Sequence, residues 1–205
     1  MTTLCYLAIM SPPAALRVVL MATNTASPRW FPSLSEVNHS AIDKQRYYLE
    51  WADSLTVFLR ERTQDTISFV HHTIDKLAIA ASDASYLQQP SGVDGLRRVI
   101  LWSHQHQLWV YAESIIPLTT AAYLPDAGQG LAPLGEVLFG EPKNPCSTLE
   151  FATLSAEHGL YQRACAQYQG APNPATLIAR RRRFMITEQH PLMIVEVFFE
   201  ECLQH

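Results

Sequence analysis

Two β-rich runs, 97–103 (RRVILWS) and 108–117 (LWVYAESIIP), are separated only by His104-Gln105-His106-Gln107. Four residues cannot carry a crossover, so the two runs can pair only as an antiparallel hairpin. The arrangement recurs near the C-terminal end, where 180–187 and 192–199 flank Glu188-Gln189-His190-Pro191. Two further β-rich segments, 66–73 and 147–155, bring the expectation to about six strands. In 43–62 the apolar residues Tyr48, Trp51, Ala52, Leu55, Phe58 and Leu59 recur at three- and four-residue steps, predicting an amphipathic helical region with Asp53-Ser54 capping its second half. The stretch 76–87 reads as helical or irregular, and Pro133 opens a helical turn over 133–139. The expected fold is α+β, a single antiparallel sheet of about six strands with helical segments packed on it.

The first 40 residues contain only Arg17, Arg29 and Glu36 as charged side chains and are read as an irregular arm, with the folded domain over 41–205. Ser11-Pro12-Pro13 and Arg17 interrupt the apolar stretch 4–22, which therefore does not read as a membrane helix. With no basic residue before Leu4 it does not read as a secretory signal either. The chain has 15 Lys+Arg against 19 Asp+Glu, so no global positive field draws it to nucleic acid or an anionic membrane. Any anionic ligand must be held by a local cluster.

The four cysteines, Cys5, Cys146, Cys165 and Cys202, form no CxxC pair and read as free thiols of a reducing, cytoplasmic compartment. Neighbouring His71 and His72 point to opposite faces of a strand, and His104 and His106 sit at a hairpin tip without a nearby carboxylate, so no metal site is expected.

Two charged residues lie inside apolar strands: Arg98, followed by VILW, and Glu196, within LMIVEVFF. A charge buried alone costs several kcal/mol, so each needs a partner or a ligand. Two readings stand: a structural ion pair between them, or a polar pocket in which Arg98 grips a carboxylate and Glu196 serves as a hydroxyl partner or proton carrier. Burial would raise the Glu196 pKa and a nearby Arg98 would lower it. The one basic cluster, Arg180-Arg181-Arg182-Arg183, sends two side chains to each face of its strand, as attractors for an anion or as a solvated basic edge.

An ordered series of short motifs over roughly 47–199 resembles the chorismate lyase family. Asp53-Ser54-Leu55-Thr56 resembles its DS(M/L)T, and Leu96-Arg97-Arg98-Val99-Ile100-Leu101 its Leu-x-Arg-x-Ile-Leu strand, followed by Trp109 and Ser114-Ile115-Ile116-Pro117. Pro133-Leu134-Gly135-Glu136-Val137-Leu138-Phe139 resembles PLGxxLF, and the run from Pro191 to Phe198 the closing PLLLxExF. The resemblance implies an enzyme that converts chorismate to 4-hydroxybenzoate and pyruvate, the first committed step toward ubiquinone, as a cytoplasmic monomer without a cofactor. Its catalytic residues would be Glu196 and Arg98, with Arg98 on the ring carboxylate, the backbone amides of Leu55 and Leu134 beside it and Glu196 facing the ring hydroxyl.

The partner it implies is the small molecule chorismate, with no nucleic acid and no membrane. A non-catalytic aromatic-acid sensor of the same fold, as in GntR-type repressors, is the alternative.

The chain departs from the family in two places. Ala112-Glu113-Ser114 stands where the family shows Gly-Arg-Thr, and Leu149 stands where it tends to place an arginine. A two-residue turn at Gln105-His106 would place Glu113 directly opposite Arg98, where it would neutralise the guanidinium.

Overall fold

The structure is a computed structural model that describes residues 26–38, 42–124, 134–170 and 172–203. Six strands form one sheet: β1 (Ser68–Ala78), β2 (Asp94–His104), β3 (Gln107–Pro117), β4 (Glu150–Leu154), β5 (Leu177–Thr187) and β6 (His190–Phe198). Their order is β1-β2-β3-β6-β5-β4 and every neighbouring pair is antiparallel, which is the α+β sheet expected from the sequence. The helices are α1 (Ile42–Leu49), α2 (Leu55–Arg62), α3 (Ala81–Leu87), α4 (Leu118–Ala121), α5 (Leu134–Phe139) and α6 (Gly159–Cys165). None of these is long and apolar enough to cross a membrane.

The amphipathic region 43–62 is two helices, broken at 50–54, and Ser54 is the N-cap of the second, its Oγ accepting from the Val57 amide at 3.5 Å. Strand β1 continues through Ala78, past the point where a helical or irregular segment was expected, and α3 starts only at Ala81. Pairing with β2 down to Asp94 carries it on, a tertiary preference that overrides local propensity. Pro133 and residues 1–25 of the expected arm lie outside the described residues.

The two hairpins set the register. Gln105 and His106 both have positive φ, 49° and 65°, the geometry of a tight two-residue hairpin turn, and His104 faces Gln107 across it. Beyond the turn Ser103 faces Leu108, but Trp102 faces Val110, so Trp109 is an extra residue in β3. The expectation that Glu113 opposes Arg98 is therefore corrected. Arg98 faces Ser114, Glu113 faces Val99, and Glu113 points to the other side of the sheet.

The second hairpin has the same irregularity: Thr187 faces His190 but Met185 faces Pro191, which brings Arg180 opposite Glu196.

On one side of the sheet Trp102, Val110, Ile178 and Phe198 pack against Leu49, Leu55, Phe58 and Leu59 of α1 and α2. Further along the same side Leu96, Ile116, Phe184 and Leu192 pack against Leu134 and Leu138 of α5. On the other side Val99, Tyr111, Val195 and Val197 meet Ala84, Leu87, Leu160 and Ala164 of α3 and α6.

Residues 26–38, within the arm read from sequence, take part in this packing. Phe31 and Phe151 exchange two backbone hydrogen bonds of 2.8 Å at the β4 edge, and Leu34 is 1% exposed. Covering the edge removes unpaired strand groups from solvent.

A chain beginning at Ala41 loses the buried Leu34 and Val37 and is expected to be less stable by about 3 kcal/mol in urea unfolding. Glu113 is 3% exposed and takes a bidentate hydrogen-bonded pair from Arg163 at 2.6 and 2.9 Å. Glu113→Gln is expected to destabilise by about 1–3 kcal/mol, read by the same unfolding experiment.

Candidate active site

Two adjacent rows of side chains cross the α2 and α5 face of the sheet. One row runs Ile74, Arg98, Ser114, Ile194, Arg182 from β1 to β5, and the next runs Ile100, Ala112, Glu196, Arg180 from β2 to β5. Apolar rows lie on either side, Leu96, Ile116, Leu192, Phe184 and Trp102, Val110, Phe198, Ile178. The result is a polar belt between two hydrophobic clusters, closed over by α1, α2 and α5. Arg98 and Glu196 share this face, offset by two strands and two residues, a Cα separation of about 12 Å from sheet spacings.

Arg98 is fully buried, and desolvation lowers its pKa to about 10. The guanidinium remains charged near neutrality, and a carboxylate brought beside it would offset the desolvation.

Glu196 is mostly buried and its partner is Arg180: Arg180 Nε donates to Glu196 Oε2 at 2.5 Å. The pairing of Glu196 with Arg98 considered from sequence is replaced by this one, because β5 lies between β6 and β4 and presents Arg180 directly across from Glu196. Nη1 of Arg180 also donates to the carbonyls of Tyr48, Leu49 and Trp51 at 3.1, 3.0 and 2.8 Å. These carbonyls end α1, where helical partners run out. Arg182 Nη1 donates to Ala52 O at 2.5 Å, so two arginines of β5 fasten the turn that leads into α2.

That turn positions the remaining candidates. Leu55 is the first residue of α2, Leu134 is the first of α5, and both are buried. A Cβ added to Gly135 would stand 3.1 Å from Ser54 Oγ and 3.3 Å from Thr56 Oγ1, so the two helix starts abut. Beneath them lies a cavity of about 30 Å³ lined by Trp51, Asp53, Leu55, Leu149, Arg182 and Glu196, among others. Leu149, where the family tends to place an arginine, lies against it.

The cavity lining carries two cations, Arg180 and Arg182, against two carboxylates, Glu196 and Asp53, and Arg98, buried in the adjoining row, adds a third cation. The excess positive charge suits an anion. Among the described residues no group of three His, Cys, Asp or Glu side chains is placed to hold a metal ion.

The sequence singles out Arg98, Glu196, Leu55 and Leu134; Leu55 and Glu196 line the small cavity, while Arg98 and Leu134 are buried but are not part of its lining. The sequence does not single out Arg180 as the partner of Glu196. The signal was present in the alternation of the four arginines, but pairing them needs the second hairpin's one-residue shift.

A sequence model described as chorismate lyase matches residues 33–204. The probable chorismate pyruvate-lyase of Nitrosomonas eutropha is 30% identical over 175 residues, covering 82% of this chain and 92% of the relative. That of Aliivibrio fischeri is 28% identical over 166 residues, covering 78% and 80%. Among solved structures, a GntR-family transcriptional regulator from Bacillus cereus shares the fold with a TM-score of 0.50 at 8% identity, covering 66% of this chain and 93% of its own. The matched span takes in every strand of the sheet and the helices that close over the polar belt, and this chain belongs to the chorismate lyase family.

Proposed function

We propose that the protein is a cytoplasmic, monomeric lyase that converts chorismate to 4-hydroxybenzoate and pyruvate, supplying the first committed intermediate of ubiquinone. The observation that carries this reading is the belt that sets Arg98 and Glu196 on one buried face with an excess of cations around them.

In the reaction the hydrogen on the carbinol carbon of the ring leaves as a proton and its electrons complete the aromatic ring. The adjacent ether C–O bond breaks, its electrons pass to the enolpyruvate oxygen, and a proton added to the enolpyruvate gives pyruvate. Atoms and charge balance without a redox step.

The protein's share is to desolvate and orient the dianion and to stabilise charge as the ether breaks. Arg98 takes the ring carboxylate, assisted by the amides of Leu55 and Leu134. Glu196, aimed by Arg180, accepts the ring hydroxyl and serves proton transfer beside it. A cavity of about 30 Å³ holds little more than water, so admitting the substrate requires the covering elements to shift.

Purified protein incubated with chorismate is expected to release 4-hydroxybenzoate and pyruvate in equal amounts, measured together by chromatography and a coupled pyruvate assay. Binding of 4-hydroxybenzoate without release of either product would favour the aromatic-acid sensor instead. Glu196→Gln is expected to lower kcat about 100-fold or more while retaining product binding.

Arg98→Met is expected to weaken 4-hydroxybenzoate binding about 100-fold in calorimetry. Glu113→Gln, altered on the other face, is expected to leave that affinity within about twofold.

A further inference from the structure

The opposite face of the sheet holds a larger space, of about 290 Å³. Its floor includes Glu113 of β3, Met193 and Val195 of β6 and Arg181 of β5, and its walls are the start of α3, the α6 residues Leu160 and Arg163, and the segment 26–30. Of the four charged residues that line it, Glu113, Arg163 and Arg181 are already engaged. Glu113 Oε1 accepts from Tyr111 Oη at 2.5 Å and from Arg163 Nε at 2.6 Å, and Oε2 accepts from Arg163 Nη2 at 2.9 Å. Arg181 is bound to Glu150 at 2.6 Å, with its guanidinium 4.4 Å from the Trp30 ring centroid and 3.8 Å from that of Tyr86.

The fourth charge is Asp83, in the first turn of α3. It makes no ion pair among the described residues, and Ser82 is its chain neighbour at the rim. Burial and, after it, the negative charge of Glu113 raise its pKa, outweighing the opposing charges of Arg181 and Arg163. A carboxylate in this position is stabilised by an added cation.

We propose that this cavity is a second binding site, for a compact primary amine whose ammonium sits on Asp83 and whose apolar body covers Val195, Met193 and Leu160. The hydroxyls of Ser82 and Ser27, 3.3 Å apart at the rim, offer the further acceptors that an ammonium with three donors needs. An anion is disfavoured, because both guanidiniums are in use and two carboxylates would face it. A divalent metal is disfavoured as well, because Glu113 is held by Arg163 and Tyr111 and Asp83 alone is too few ligands.

The test uses the full chain and benzylamine as the probe, with benzyl alcohol and benzoate as neutral and anionic counterparts, followed by two-dimensional NMR titration. Benzylamine is expected to bind saturably, shifting the methyl signals of Val195, Met193 and Leu160, and at least about tenfold more tightly than either counterpart. Asp83→Asn, a change at a partly exposed position that should leave the melting temperature within a few degrees, is expected to weaken benzylamine at least about tenfold. The same variant should leave 4-hydroxybenzoate binding intact. Benzyl alcohol binding as tightly as benzylamine, unchanged affinity in Asp83→Asn, or the lack of a saturable response would overturn the assignment. None of these outcomes bears on the lyase assay, which reads the other face.

Discussion

Cross-strand register is the constraint on which the rest of this structure depends. Side chains alternate faces along a strand, so one additional residue in β3 or β5 decides which side of the sheet each charge occupies. The extra residue at Trp109 separates Glu113 from Arg98, and the shift between Met185 and Thr187 joins Arg180 to Glu196. Arg98 thereby stays on a face where the facing residue is Ser114, while Glu113 finds Arg163 and Tyr111 on the other. Of the departure from the family's Gly-Arg-Thr, the charge reversal at Glu113 is then a change on the far face, while Ala112 and Ser114 stand in the rows of the polar belt.

The belt concentrates charge where burial makes charge expensive. Arg98, fully buried, has its pKa lowered to about 10 by desolvation. Arg180 answers it differently, since one guanidinium satisfies Glu196 and the terminal carbonyls of α1 together. Removing Arg180 would leave both sets exposed to a dry environment, so the cap of a helix and the aim of a carboxylate depend on one side chain. The two cavities are balanced in different ways: Arg180 and Arg182 meet Glu196 and Asp53 beneath α2 and α5, while beside α3 Arg163 and Arg181 are engaged by Glu113 and Glu150 and Asp83 stands apart from them.

Much of this was legible in the sequence because short-range spacing and burial patterns are local. The hairpin at Gln105-His106, the N-cap at Ser54, six strands, and the isolation of Arg98 and Glu196 in apolar runs all follow from residues a few positions apart. The partner of Glu196 and the facing of Glu113 did not follow, because each depends on a one-residue shift that turn geometry alone does not announce. The length of β1 escaped for a related reason, being set by its pairing with β2 rather than by its own residues. The packing of 26–38 onto the β4 edge was hidden in a proline- and serine-rich composition that resembles a loose arm.

The extra residue at Trp109 also bears on how such a chain can diverge. Substitutions along β3 change one side chain at a time, and the loops beyond the strands can lengthen without disturbing the lining. Gaining or losing a single codon between the turn and Ser114 would transpose everything downstream in that strand to the reverse side. Homologues that keep this chemistry should therefore vary freely in loop size yet show no insertions or deletions across that short interval.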